Sequence, residues 1–256
     1  MTNQIFHKLQ QTWSMNPIVL ENINHFYDGR QALRDLSVSF AENQCTAILG
    51  KSGSGKSTLL QVINGLVKPA SGSVTLFGDS YQEDKANVLR QKLGYVIQGN
   101  GLFPHLTVEQ NISISARIIG YNKAKTAAQV NKLMTLVDLP LSYKGKYPYE
   151  LSGGEQQRVG LCRALFLDPP VLLMDEPLSA LDSVTRLEIQ QEIIKLQREA
   201  PRTILFVTHD MREAKKLADR ILVIDRGSIE QYGAAETVLQ HPATAVVKQL
   251  FEASLA

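Results

Sequence analysis

The chain has 256 residues, 44% of them hydrophobic and 20% charged, a composition that calls for a folded globular protein and excludes a disordered one. Its formal net charge of +2 gives no electrostatic argument for a nucleic-acid partner, and no apolar run approaches the roughly 20 residues that span a bilayer. The two cysteines, Cys45 and Cys162, stand in apolar segments without metal-ligand spacing and are expected to be small core residues in a reducing compartment.

Residues 1–17 are polar, with Ile5, Leu9 and Trp13 at helical spacing and Pro17 closing the stretch. A loose terminal extension is expected here, with an interfacial or partner-binding helix as the alternative. The stretch lacks the continuous apolar core of a signal peptide, so the expected location is the cytosol, with any work at a membrane done through partners. The folded body is expected to occupy 18–256. Ile18 to Ile23 reads as a strand, Asn24 to Gly29 as a turn, and Leu36 to Phe40 as a half-exposed strand.

Cys45 to Leu49 is an apolar run of buried-strand character. It leads into Gly50-Lys51-Ser52-Gly53-Ser54-Gly55-Lys56-Ser57, and Thr58 onward reads as a helix. Strand, glycine-rich turn, Gly-Lys-Ser and helix make a phosphate-binding loop in its required context. Glycines let successive backbone N–H groups curl round a polyphosphate, and the following helix aims its positive end at the same anion. Lys56 adds a full charge near the β and γ groups, and the Ser57 hydroxyl can ligate Mg²⁺.

Beyond that helix, Pro69 to Gly72 reads as a turn and Ser73 to Phe77 as a strand ended by Gly78-Asp79. A polar helix is expected at about Glu83 to Gln91, then a strand from Leu93 that delivers Gln98 to its end. From Thr107 to Leu139 the periodicity is helical: Val108, Ile112, Ala116 and Ile119 form one set, Val130, Leu133 and Val137 the next. An inserted helical subdomain over about 99–167 is expected. It would include a helix opened by Leu151-Ser152-Gly153-Gly154-Glu155, where Ser152 and Glu155 fit a capping box, and stopped by Pro169-Pro170.

Val171 to Met174 is a continuous apolar run, as in a strand buried on both faces, and it ends in Asp175-Glu176. A helix over about Ser183 to Arg198 and a buried strand Thr203 to Thr208 follow, then His209 and a capping Asp210. Ile221 to Ile224 and Ser228 to Tyr232 read as a hairpin, and helices from about Ala235 and Ala243 finish the chain. Strands alternating with helices make the fold α/β with a largely parallel core sheet.

Two adjacent acids at the end of an apolar strand need partners, and in a nucleotide-binding α/β fold that strand end is where the ligand sits. Asp175 is therefore expected to hold Mg²⁺, directly or through water, and Glu176 to orient and deprotonate the water that attacks a γ-phosphate. Ser152-Gly153-Gly154 is a second helix N-terminus suited to an anion. With a single Lys56-type loop in the chain, the economical source of that anion is a nucleotide bound by another copy, hence a head-to-tail dimer.

With these motifs in hand, the chain resembles the ATP-binding cassette (ABC) proteins from about Ile18 onward. Leu151 to Arg158 is similar to their signature motif, Gly50 to Ser57 to Walker A, and Val171 to Glu176 to Walker B. Ser179-Ala180-Leu181-Asp182 is similar to the D-loop, Gln98 to the Q-loop glutamine, His209 to the switch histidine and Tyr27 to the aromatic residue that stacks on adenine. The resemblance implies a P-loop NTPase cassette: a RecA-like parallel core sheet, an antiparallel β subdomain and the inserted helical subdomain. It implies a dimer, of two copies or with a paralogous ATPase, with Ser152 and Gly154 of one subunit facing the ATP of the other. It also implies that His209 contacts the γ-phosphate and that Gln98 links Mg²⁺ or water to the helical subdomain.

Short length and the lack of long insertions resemble the ATPase subunits of bacterial-type importers. That implies transmembrane permease subunits, a solute-binding protein or domain, and a peripheral position on the cytoplasmic membrane face. Leu102 and Phe103 would suit a permease helix, or else pack inside. Leu89 to Gln98, followed by Gly101 to Val108, is similar to the quaternary-amine importers (glycine betaine, choline, carnitine). Two departures stand against that pattern: many members carry CBS modules beyond the cassette whereas this sequence runs to Ala256, and Ser183 stands where proline often follows Ala-Leu-Asp. Importers of amino acids, metals or sulfonates remain the alternatives, and a soluble ABC ATPase acting on DNA or ribosomes is the more distant one.

Overall fold

The computed structural model describes residues 16–81, 86–99, 101–179 and 181–255. The expectations for Ile5, Leu9, Trp13 and Ala180 lie outside them. The first layer is an antiparallel sheet of strand order β2-β1-β4-β5, built from β1 (Ile18–Tyr27), β2 (Arg30–Phe40), β4 (Ser71–Leu76) and β5 (Asp79–Ser80). Two of these strands are longer than the alternation suggests: β1 runs past Ile23 to Tyr27, and β2 starts at Arg30 instead of Leu36. Register shifts between Leu20 and Phe26 explain this. A bulge inserts an unpaired residue and breaks the period of two without ending the strand. The β4–β5 turn is Phe77-Gly78, one residue earlier than expected, with φ of 54° and 82°. A two-residue turn with both φ positive matches strand twist, and Phe77 accepts this backbone while its ring is buried.

The second layer has strand order β10-β9-β3-β8-β7-β6. Its members are β3 (Cys45–Leu49), β6 (Leu93–Val96), β7 (Val171–Asp175), β8 (Thr203–Val207), β9 (Arg220–Asp225) and β10 (Ser228–Ala234). All neighbours are parallel except the β9–β10 hairpin. Successive residues of one strand enter different cores. Ala47, Leu172, Met174 and Phe206 belong to one cluster; Ile48, Leu173, Leu205 and Val207 belong to the other, shared with the antiparallel layer. Both faces are covered, so these strands read as unbroken apolar runs. Fully burying each of these side chains larger than Ala47 contributes about 1.5–3 kcal/mol. Cys45 and Cys162 are buried free thiols whose pKa is pushed up by that burial.

The helices are α1 (Lys56–Ile63), α2 (Ala86–Arg90), α3 (Val108–Ile112), α4 (Lys123–Leu136), α5 (Gly153–Leu165), α6 (Ser183–Glu199), α7 (Met211–Leu217), α8 (Ala235–Gln240) and α9 (Ala245–Leu255). Between β6 and β7 every regular element is helical: α3, α4, α5 and short 3₁₀ turns at Ile114–Arg117, Leu141–Gly145 and Pro148–Glu150. Starts are capped by side chains: Thr107 with Gln110 for α3, Asn122 for α4, and Ser152 with Glu155 for α5. The helical stretch expected from Thr107 to Leu139 is α3, the 3₁₀ turn at Ile114–Arg117 and α4, with Gly120 at φ 69° between the last two. Strand β6 stops at Val96, which leaves Gln98 beyond the ladder. None of the described helices is long and apolar enough to cross a membrane.

Candidate active site

The site grows from the carboxyl ends of β3, β6, β7 and β8, which lie side by side in the second sheet. Strand β3 opens into the loop of Gly50 to Gly55 and then α1. At Gly50 a Cβ would lie 2.2 Å from Ile224 O, and at Gly55 (φ 106°) it would lie 2.5 Å from Ala32 O. The loop is therefore packed against both sheets by glycines that no other residue could replace without displacement. Lys56 is buried, and its Nζ donates to Gly50 O at 2.8 Å and Lys51 O at 2.9 Å. Burial lowers its pKa, while Glu176 and Asp175 oppose the shift. The hydroxyl oxygen of Ser54, also buried, has no hydrogen-bond partner among the described residues.

Strand β7 brings Asp175 alongside. Its Oδ1 accepts a hydrogen bond from Ser57 Oγ at 3.0 Å. Burial raises the Asp175 pKa and Glu176 adds to that, while the Ser57 hydrogen bond and Lys56 act the other way. The next residue, Glu176, has φ 45° and donates its backbone N–H to Val207 O at 3.1 Å. A left-handed glutamate is uncommon and is held only where the surroundings require it. Its Oε2 accepts from Gln98 Nε2 at 3.2 Å and stands 3.9 Å from His209 Nδ1. Gln98, Glu176 and His209 thus follow three neighbouring strands and meet at one carboxylate oxygen.

A cavity of about 830 Å³ spans the two sheets here. Lys51, Ser52, Gly53, Ser54, Gly55, Lys56, Ser57, Thr58, Gln98 and Glu176 line it, and Tyr27 closes it from β1. The Tyr27 hydroxyl donates to Gln61 Oε1 at 3.2 Å, and its ring meets the edge of His25 at 4.6 Å between centroids. The rim also carries Arg30, Gln31, Arg34 and Arg226, none of which the sequence reading singled out. Arg30, Gln31 and Arg34 lie between the expected turn at Asn24 to Gly29 and the expected strand from Leu36, in what is the first half of β2, and Arg226 lies in the turn of the β9–β10 hairpin.

Gly50, Asp175 and His209 are not on its wall but adjoin residues that are, Lys56, Ser57 and Glu176. Ser152, Gly153, Gly154 and Asp182 do not line this cavity either. Ser152 caps α5, accepting from Glu155 N at 3.3 Å, and Asp182 caps α6, accepting from Val184 N and Thr185 N. The hydrogen bond to the Thr185 side chain, before those to the backbone, lowers the Asp182 pKa. Gly154 has a packing reason of its own, since a Cβ there would meet Thr185 Cγ2 at 2.2 Å. Of the two residues suggested for a partner helix, Leu102 packs against the core and Phe103 is about half exposed.

A strand-loop-helix phosphate cradle, paired acids on the neighbouring strand and a two-sheet cleft define a nucleotide-binding P-loop fold. The family model described as ABC transporter matches residues 33–179, and the chain belongs to that family. It is 43% identical over 231 residues to the glycine betaine/carnitine/choline transport ATP-binding protein OpuCA of Bacillus subtilis (strain 168), covering 90% of this chain and 61% of that protein. To the glycine betaine uptake system ATP-binding protein YehX of Escherichia coli (strain K12) it is 42% identical, covering 91% of this chain and 76% of that one. The chain thus spans about three fifths of the length of the first curated relatives it matches. Among solved structures, the dimeric bacterial ABC transporter cassette MJ0796 superposes with a TM-score of 0.78 at 32% identity, over 85% of this chain and 98% of that one. CbiO1 from Clostridium perfringens, part of the ABC transporter complex cbiONQ, gives 0.81 at 29% identity, over 89% of this chain and 92% of its own.

Proposed function

We propose that this chain is the ATP-hydrolysing subunit of a solute importer for quaternary amines or related osmoprotectants. The observation that carries the ATPase reading is the meeting of Gln98, Glu176 and His209 beside the buried Lys56. The donor set fits MgATP. The glycine cradle and the spare Ser54 hydroxyl suit a polyphosphate, and the Ser57 and Asp175 oxygens, 3.0 Å apart, are hard ligands suited to Mg²⁺. Bound there, Mg²⁺ would neutralise charge developing on the phosphates. Ser57 and Asp175 would hold it, with Gln98 nearby.

In this reading Lys56 and the loop amides of Gly50 to Thr58 bind the phosphates, and Tyr27 stacks on the base. Glu176 accepts the proton of the attacking water, and His209 and Gln98 fix where that carboxylate and water stand. Ser152, Gly153, Gly154 and Asp182 complete the site of a second subunit, so two chains sandwich two nucleotides. The dimeric cassette relatives support this arrangement. Closure with ATP and opening after hydrolysis would shift a two-state interface. A permease and a solute-binding protein or domain complete the machine, at the cytoplasmic membrane face, and no nucleic acid takes part.

The quaternary-amine assignment rests on relatives named for betaine, choline and carnitine transport. A second reading, an inorganic oxyanion importer, is favoured by a sulfate/thiosulfate import ATP-binding protein of Synechocystis at 40% identity over 230 residues. The test is affinity isolation of the tagged chain from detergent-solubilised membranes of its source, with mass spectrometry of what co-purifies. A multi-span permease with a betaine-binding component is expected. A sulfate-binding component would support the second reading, and recovery of ribosomal or DNA-bound proteins alone would overturn both.

A further inference from the structure

Behind Glu176 and His209 lies a separate small cavity of about 20 Å³, room for roughly one water. Arg186, Thr208, Asp210 and Glu213 share its wall with those two residues. Arg186 Nη2 donates to Leu181 O at 3.1 Å, the carbonyl just before the cap Asp182. Its Nη1 and Nε stand 3.8 Å from Asp210 Oδ2 and Glu213 Oε1, as loose ion pairs. Glu213, buried on α7, accepts a short hydrogen bond from the hydroxyl of Thr208. Thr208 Oγ1 accepts in turn from Asp210 N at 3.0 Å. Of the residues on either side of His209, Thr208 is therefore tied to the buried Glu213, and Asp210 lies between Arg186 at 3.8 Å and Arg212, whose Nε and Nη2 donate to it at 3.2 Å.

A buried ion pair is weak evidence for stability, because an apolar pair of similar volume often serves the fold as well. Arg186 and Glu213 line the small cavity behind Glu176 and His209 and not the nucleotide cavity. What they do reach are two peptide segments: the loop ending at Asp182, and the turn that carries His209.

We propose that Arg186 and Glu213 are positioning residues that, with Thr208, lock the His209 turn to the Asp182 loop and so set His209 beside Glu176. The proposal rests on the reading of His209 and Glu176 given above. A group shifted by about 1 Å can lose on the order of 10²-fold in rate, and it loses this in kcat when substrate binding is made elsewhere.

The experiment is a double-mutant cycle on the purified chain with MgATP, reading kcat, KM and thermal midpoint. Arg186→Gln and Glu213→Gln are each expected to lower kcat by roughly 10- to 100-fold with KM changed less than about two-fold. Arg186→Lys should restore part of the loss. On a His209→Ala background the same changes should cost nothing further, because residues acting through one group are not additive. Glu213→Gln keeps the size of the side chain and removes the charge that faces Arg186, so it carries the test if Arg186→Gln does not fold. Losses that add fully to that of His209→Ala overturn the proposal alone. A His209→Ala chain with parent turnover overturns the His209 role, and this proposal with it. A raised KM with a lowered midpoint and unchanged kcat would mark a merely structural pair and also overturn it.

Discussion

Arg158 Nε sits 2.9 Å from Glu192 Oε1, and this contact ties α5 to α6. A second hydrogen bond, from Arg158 Nη2 to Glu188 Oε2 at 2.8 Å, flanks it. The two helices so joined begin at Ser152 and Asp182, caps that do not line the chain's own nucleotide cavity. Even with the guanidinium in contact, burial pushes the Glu192 carboxyl up to about 7, the pull of Arg158 offsetting only part of the shift.

A pH dependence follows. The folded pKa of Glu192 lies above its unfolded value, so between about 4.5 and 7 the native state holds a proton that the unfolded chain has released. Stability from this group is present below 4.5 and is lost as pH rises through 7. Glu192→Gln removes that dependence. Relative to the variant, the parent should lose on the order of 1–3 kcal/mol over this window. Chemical denaturation at pH 4.5, 6 and 7.5 would measure it, and parallel profiles would mean that Glu192 is already ionised in the fold.

Gly154→Ala places a methyl group against Thr185 Cγ2 and should destabilise the chain by about 1–3 kcal/mol. Thr185→Ser removes the clashing methyl and keeps the hydroxyl that bonds Asp182, so the double variant should recover most of the loss. Equal midpoints for Gly154→Ala with and without Thr185→Ser would show that the strain lies elsewhere.

Glu176→Gln keeps the size of the side chain and removes the base. Turnover should fall by roughly 10²–10⁴-fold while ATP binding persists, and an ATP-dependent dimer should accumulate on size exclusion. Hydrolysis at the parent rate would falsify the assignment of Glu176.

Lys56→Ala deletes the buried ammonium of the phosphate loop. Nucleotide affinity should weaken roughly 10- to 100-fold, the worth of charge-assisted hydrogen bonds to phosphate. Titration calorimetry with the Glu176→Gln chain as parent isolates binding from turnover, and an unchanged dissociation constant would remove Lys56 from the site.

Much of this architecture is local and hence legible in the sequence. The loop before α1, the capping box at Ser152 and the buried strands β3, β7 and β8 each depend on neighbours in the chain, where periodicity and cap chemistry act. Strand β1 was legible only to Ile23, because bulges interrupt the alternation that marks a strand. Arg186 and Glu213 were missed for a different reason. On the sequence each is one more charge in an amphipathic helix, and only the adjacency of β7 and β8 brings α6 and α7 together. Gln98, Glu176 and His209 were recognisable one by one through motif likeness. Their meeting at a single oxygen follows from the strand order, which residue spacing does not encode.

The separation of Ser152 to Gly154 from the cavity that holds Lys56 carries a consequence for the rate law. In the proposed dimer, a chain that houses the phosphates and borrows the far wall of its cage from another copy would not turn over as an isolated particle. Hydrolysis by dilute protein should then rise with the square of its concentration and become linear only once pairs are saturated. On the permease of the proposed importer, two chains would escape that penalty, because tethering replaces bulk concentration with a fixed local one.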